Sequence, residues 1–282
     1  MPHGVDQTTA IGRDPRTPAR ACYRRAGFAL LVAVVAAASG PAARAEPLED
    51  AAERYRPAMI EEIDQALAGA RKLRDCIAAK DLHGARQAWI AARIGWERAE
   101  VFTSGFVPDL DAEIDAWPNA LVGFHAIEAK LFGADVVDAA NETDALIFHL
   151  ADLDVKIHNI ELLPQRLLNG TARLTYEIGE NKADGGESRL SGTSLDDMRN
   201  NMDGIALAYR TIFAPALESR DPQLAATTQA QIEQLKQLLD APDLKSLDPG
   251  KLRAASEELV VTLQKTAPEI GLRSPSLEEI VQ

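Results

Sequence analysis

The chain has 282 residues, with 30 Lys or Arg against 43 Asp or Glu, and its formal net charge at pH 7 is −13. This acidic balance argues against nucleic acid and anionic membranes as partners and favours cations, although a solvated acidic surface gives the same number. Only two cysteines are present, Cys22 and Cys76. Cys22 lies in the N-terminal leader described next, so no internal disulfide is expected and a hydrophobic core must hold the fold.

The first 45 residues have the features of a cleavable secretory signal. Arg24 and Arg25 precede the apolar run "AGFALLVAVVAAASG", and small residues suit cleavage after Ala45. The run is too short to span a bilayer, and no cysteine for lipid attachment follows it. Sec or twin-arginine export would leave residues 46–282 in the periplasm, with a net charge of −17 and no membrane insertion.

Apolar residues recur at helical spacing through the mature chain and predict an all-α fold of packed helix bundles. Pro57 is expected to kink or split the first helix, and Pro164 to lie near the end of the fourth. A loop is predicted over residues 103–119, and a polar functional or boundary loop over 179–194. The predicted helices span about 46–79, 85–102, 120–132, 141–168, 195–216, 222–239 and 249–266.

Two pairs of polar residues share helix faces and predict a cation site. Glu97 and Glu100 are three apart in "WERAE", and His125 and Glu128 are three apart in "FHAIE". Imidazole with carboxylates suits iron, zinc, manganese or copper better than calcium. The loop "DLDAEID" between the two pairs adds further acids, including Asp115.

The spacing alone is weak evidence. A glutamate pair on a helix is usually solvated, and His158 with Glu161 repeats the His-x-x-Glu pattern. A di-iron bundle uses Glu-x-x-His, the reverse order. His83 and His149 fit a turn and a core or boundary position respectively, and no nucleophile elbow, phosphate loop or zinc-protease helix is found.

Three separated motifs, "ARIGWERAEVFTSGFVPDLDAEID", "GFHAIEAKLFG" and "EIGENKADGGESRLSGTSLDDMRNNMDGI", resemble in order and spacing the imelysin-like family. The resemblance covers residues 48–270 and is strongest to its EfeO/EfeM branch, which comprises periplasmic components of a bacterial iron-uptake system. It implies two four-helix bundles, with one lobe over about 46–170 and the other over about 171–282, and a cation site in or beside the cleft between them. The chain looks like the short form, without a cupredoxin domain.

The resemblance also implies a ligand set, because the family's motifs fall on particular residues of this chain. At two positions of "SGTSLDDM" the chain departs from the family pattern: Gly192 stands where a histidine is common and Ser194 where an acid is common. If relatives take metal ligands from that loop, the site of this chain is expected to bind its metal more weakly or to select a different metal. The implied metal ligands are His125, Glu128, Glu97, Glu100, Asp115 and Glu187.

The leading hypothesis is a periplasmic protein that captures iron, with zinc or copper as alternatives, and passes it to an inner-membrane iron permease and other uptake components. Since histidine must be neutral to bind a metal, affinity is expected to fall as the pH drops through about 6.5. A zinc-dependent metallopeptidase is the first alternative, because the family was first classed among peptidases. A module that binds a protein or glycan through bridging cations is the second.

Overall fold

The computed structural model describes residues 46–117 and 121–281. Helices account for nearly all regular structure and no strand occurs in this described part, which confirms the all-α prediction. The predicted signal segment lies outside the described residues. Within them, no helix is both long and apolar enough to cross a bilayer. The α-helices are α1 Leu48–Ala78, α2 Leu82–Phe106, α3 Pro108–Ile114, α4 Gly123–Glu128, α5 Ala140–Asn159, α6 Pro164–Glu177, α7 Ser194–Ala208, α8 Ala214–Glu218, α9 Pro222–Leu239, α10 Pro249–Glu269 and α11 Leu277–Val281.

Three single π-helical turns extend or join the α-helices. In such a turn the backbone hydrogen bonds reach one residue further than in an α-helix. These turns are Ala129–Gly133 after α4, Ile178–Lys182 after α6 and Tyr209–Phe213 between α7 and α8. Such turns are often found at functional sites, since they change the direction in which side chains point. The first two flank the candidate site described below.

Two proline positions and one loop differ from the sequence-based expectation. Pro57 lies inside α1, which continues unbroken from Leu48 to Ala78 because its buried residues repeat at helical spacing on both sides. Pro164 begins α6 instead of ending a long helix, a position where its missing N–H costs nothing. The predicted loop over 103–119 contains the end of α2 and the short helix α3, which also begins with a proline.

The second helix, α2, is the centre of the packing and carries three residues of the candidate site. It contacts α1 on one side and α6 and α7 on the others, and its inward face is almost fully buried. Gly204 allows the close approach of α7, since a Cβ there would lie 2.5 Å from the carbonyl oxygen of Arg98. Polar side chains on the buried faces of α2 and α7 are therefore brought together.

A single hydrophobic core extends through α1, α2, α5, α6, α7, α9 and α10, and the described residues belong to one compact unit. The lobe boundary predicted at about residue 170 falls within α6. The division into two lobes stays a prediction.

Candidate metal centre

Residues from four segments form a buried polar cluster. The inner face of α2 supplies Arg93, Glu97 and Glu100. The other members lie on α4, just after α3, and on the segment that runs from the end of the second π-helical turn into α7. They include Asp115, His125, Glu128, Lys182, Glu187, Asp197 and Asn201.

Gly123 fixes the start of α4 against the end of α3. Its φ of +66° is a left-handed conformation that favours glycine. A Cβ at this position would lie 2.0 Å from the carbonyl oxygen of Ile114, a distance that real atoms do not show. This close approach brings Asp115, the residue after α3, next to His125 in the first turns of α4.

His125 is fully buried and lies among three carboxylates. Its Nε2 atom is 3.2 Å from Oδ1 of Asp115 and 3.6 Å from Oε1 of Glu187. Neither contact is a well-directed hydrogen bond, and Nε2 is left without such a partner. One potential ligand atom from each of Asp115, His125 and Glu187 lies within 4.8 Å of the others. One nitrogen and two oxygen donors thus converge on one point.

Glu128 approaches the imidazole from the other edge. Its Oε2 atom is 3.1 Å from Nδ1 of His125. The second oxygen accepts hydrogen bonds from the backbone N–H of Ser191 at 2.8 Å and from its hydroxyl at 2.7 Å. These contacts fix the imidazole so that Nε2 points toward Asp115 and Glu187. Burial opposes ionisation of Glu128, but its hydrogen bond with His125 lowers the pKa below its usual value.

The same surroundings favour a proton on His125 when no metal is bound. Burial lowers the pKa of the imidazole, but the Asp115 carboxylate opposes burial most strongly, with help from Glu128 and Glu187. The result is a pKa raised to about 11. In turn, Lys182 and His125 outweigh burial and lower the pKa of Glu187 to about 2. At neutral pH a proton on Nε2 therefore lies between the imidazole and the carboxylates of Asp115 and Glu187.

Glu97 and Glu100 face a different cation. Nζ of Lys182 lies 3.0 Å from Oε2 of Glu97 and 3.1 Å from Oε2 of Glu100. The side-chain amide of Asn201 donates to the same two oxygens, at 2.8 Å and 2.6 Å. Among the described residues, neither glutamate forms a hydrogen bond or ion pair with His125. The ligand set predicted from the sequence is thus divided into two neighbouring groups.

Arg93 lies between these groups and is 1% exposed. Its guanidinium forms ion pairs with Glu97 and Asp115, and Nη2 lies 3.2 Å from Oδ2 of Asp197 and 3.5 Å from Oε1 of Glu187. Burial opposes the charged form, yet the surrounding carboxylates raise the pKa of Arg93 well above its usual value. Arg93 is thus a permanent cation that holds the carboxylates of the cluster in place.

The cluster contains more acids than bases. Its acids are Glu97, Glu100, Asp115, Glu128, Glu187 and Asp197, and its bases are Arg93, His125 and Lys182. The excess of negative charge affects individual groups. Burial raises the pKa of Asp197 to about 7, with Glu97 adding to the effect, and burial together with Glu97 raises the pKa of Glu100. An added cation would relieve this excess.

A polar cleft of about 550 Å³ leads to the cluster. Asp115, Glu187, Lys182 and Glu100 form part of its wall, so the buried groups have a route to solvent. The half-exposed ring of Trp117 also lines this cleft and lies over the imidazole of His125, with 5.2 Å between the ring centres.

The other histidines lie away from this cluster. His158 is exposed and its Nδ1 donates to the carbonyl oxygen of Asp154 at 2.8 Å, while Glu161 is exposed beyond the end of α5. His83 is exposed near the start of α2, and His149 lies on α5, 3.9 Å from Glu113. The repeat of the His-x-x-Glu pattern at His158 and Glu161 is therefore exposed to solvent, and its two residues lie outside the cluster.

The two departures from the family pattern differ in position. Gly192 is exposed and has a φ of +76°, which glycine tolerates and a histidine rarely adopts. Ser194 is buried, and its hydroxyl donates to the carbonyl oxygen of Gly185 at 3.3 Å. Among the described contacts, neither residue touches His125. In this chain, the loop before α7 contributes Glu187 to the cluster, and its Ser191 holds the carboxylate of Glu128.

Four residues of the cluster were not predicted from the sequence: Arg93, Lys182, Asp197 and Asn201. Arg93 had a usable signal, since it lies four residues before Glu97 on the buried face of a helix that also carries Trp89 and Trp96. Lys182 had none, because a lysine in a polar glycine-containing loop is usually solvated.

Comparison with known proteins confirms the family resemblance predicted from the three motifs. The imelysin family model matches residues 51–122 and 119–268. The chain is 29% identical over 204 residues to a protein of Staphylococcus haemolyticus named as an EfeM/EfeO family lipoprotein, covering 68% of this chain and 70% of that one. A Staphylococcus aureus protein of the same name is 28% identical over 204 residues, covering 68% and 71%.

The fold agrees as well. A crystal structure from Parabacteroides distasonis, described as that of an iron-regulated protein A precursor, superposes with a TM-score of 0.63. The two chains are 17% identical, and the match covers 82% of this chain and 97% of the other. Because the family model matches more than half of the sequence, the chain belongs to the imelysin family.

Proposed function

We propose that this protein binds a metal ion, with iron as its cargo, and passes it to an iron permease of the inner membrane. The observation that carries the proposal is the convergence of donor atoms from Asp115, His125 and Glu187 at a cleft, around an imidazole nitrogen that lacks a hydrogen-bond partner. The similarity to proteins named EfeM/EfeO family lipoproteins supports iron as the cargo and a periplasmic location.

The chemistry of the donors suits this cargo. One imidazole nitrogen with two carboxylates is a ligand set that iron and zinc accept. Calcium and magnesium instead prefer ligand sets made of oxygen atoms. Within the six residues predicted as ligands, we assign direct binding to Asp115, His125 and Glu187. Glu128 orients His125, as carboxylates beside metal-bound imidazoles commonly do.

Glu97 and Glu100 have a supporting part in this proposal. Their carboxylates hold Lys182, which in turn lies 3.3 Å from Oε2 of Glu187. Through this contact they fix the position of one ligand without binding the ion. The cluster's surplus of acids favours uptake of a cation, while its location in a cleft allows release.

Equilibrium dialysis against Zn²⁺ and against Fe²⁺ under anaerobic conditions tests the proposal. The wild type should take up metal and His125→Ala should lose it. His158→Ala is a matched control, because the same motif is there exposed, and it should bind like the wild type. Equal binding by all three proteins would overturn the proposal. Casein hydrolysis by the metal-loaded wild type, lost in His125→Ala, would favour the peptidase alternative instead.

A further inference from the structure

The ammonium group of Lys182 is itself a bound cation inside the cluster. It lies 3.0 Å from Oε2 of Glu97, 3.1 Å from Oε2 of Glu100 and 3.0 Å from Oδ1 of Asn201. Oε2 of Glu187 is a fourth neighbour at 3.3 Å. Lys182 is 4% exposed, so these four oxygens replace water around its charge. Oxygens arranged around a point in this way are also what a divalent cation requires.

The pocket that holds this ammonium does not depend on Lys182 for its framework. Glu97 and Glu100 come from α2 and Asn201 from α7, two helices packed closely through Gly204. The amide of Asn201 donates to both carboxylates and to the carbonyl oxygen of Glu97, which keeps their oxygens turned inward. Lys182 enters from a separate segment, at the end of a π-helical turn.

Glu187 connects this pocket to the proposed metal site. Its Oε1 faces Nε2 of His125 at 3.6 Å, while its Oε2 faces Nζ of Lys182 at 3.3 Å. One carboxylate with an oxygen toward each of two cationic positions is the arrangement that bridges paired metal ions in two-metal sites. In this chain one of those positions is filled by a side chain.

We propose that Lys182 limits the cavity to one metal ion by placing its own ammonium where a second cation would bind. This inference rests on the proposed function at Asp115, His125 and Glu187. A lysine has three donors and no acceptor, so it satisfies the carboxylates without offering a ligand to a metal. A metal in its place would require the oxygens to approach by about 0.5–1 Å, since metal–oxygen distances are about 2.0–2.6 Å.

The experiment compares Zn²⁺ bound per chain by equilibrium dialysis at pH 7. The wild type should bind one ion and Lys182→Met two, because the uncharged side chain leaves Glu97, Glu100 and Asn201 facing an empty position. Adding Glu100→Gln to Lys182→Met restores the charge balance and should return the number to one. Lys156→Met removes a half-exposed lysine that pairs with Asp152 on α5, and it should leave the number at one.

One ion bound by both the wild type and a folded Lys182→Met would overturn the inference, as would two bound by the wild type. If the wild type binds none and Lys182→Met binds one, the proposed function fails and the limit of one ion is overturned with it, whereas one ion in both proteins overturns the inference alone. Lys182→Arg keeps a cationic side chain at this position and gives a test that does not depend on the folding of Lys182→Met. It should bind one ion, and two ions bound by this variant would overturn the inference.

Discussion

Oε2 of Glu128 lies 3.1 Å from Nδ1 of His125, and the other oxygen of that carboxylate is held by the backbone and hydroxyl of Ser191. The pair therefore fixes which edge of the imidazole faces the cleft. A ligand whose orientation is set in advance loses less entropy when it binds a metal.

Glu128→Gln should weaken Zn²⁺ binding by about 10–100-fold, the usual cost of altering the partner of a metal-bound histidine. The amide can still accept from Nδ1, so binding is reduced and not abolished. Glu161→Gln is the matched control, since it changes the same position of the exposed repeat. Competition with a chelating dye measures both affinities, and equal affinities in the two variants would contradict the role of Glu128.

Metal binding should release a proton from His125. The neighbouring carboxylates overcome burial and raise the pKa of the metal-free imidazole to about 11, while only the neutral form binds a metal. Affinity should thus fall about tenfold for each pH unit lowered across the neutral range. The sequence alone predicts a decline as the pH drops through about 6.5, and the raised pKa of His125 extends the expected decline to higher pH. Zn²⁺ affinity that stays constant between about pH 7 and pH 8 would contradict this expectation.

Arg93→Met should destabilise the metal-free protein by about 3–5 kcal/mol, because the buried carboxylate of Asp197 would lose its cation and those of Asp115 and Glu97 would each lose one of two. Arg98→Met is the control on the same helix. Arg98 is partly exposed and lies 3.7 Å from Glu62, a pair expected to contribute less than about 1 kcal/mol. Urea unfolding measures both, and equal losses would show that Arg93 is not the central cation.

Asp111, on the wall of the cleft, should make the free energy of unfolding decrease as the pH rises. Burial raises its pKa to about 7, and one carboxylate oxygen has no hydrogen-bond partner. The folded state therefore keeps a proton that the unfolded chain loses near pH 4, so this group's contribution falls between about pH 4 and 7. Asp111→Asn should stabilise the protein by about 1–3 kcal/mol at pH 8 and much less at pH 4. Destabilisation at pH 8 would contradict this.

The long helices could be predicted from the sequence because their buried residues repeat at helical spacing over many turns, as in α1 and α2. The short helix α3 could not, since seven residues give too little periodicity and Pro108 reads as a loop signal. Pro164 is ambiguous for a similar reason, because a proline can follow one helix or begin the next.

The candidate site could be predicted only in part. His125, Asp115 and Glu187 were found through their motifs, but spacing alone could not separate His125 from His158, whose difference is burial. The sequence also grouped Glu97 and Glu100 with His125. Their partner is Lys182, 85 and 82 residues away along the chain, and no local pattern indicates a contact between such distant residues.

The most direct measurement is an anomalous-scattering map from crystals soaked separately in iron and in zinc. One peak per chain is expected, within bonding distance of Nε2 of His125 and of the carboxylates of Asp115 and Glu187. Density between Glu97 and Glu100, at His158, or nowhere in the cleft would contradict the assignment of the metal site.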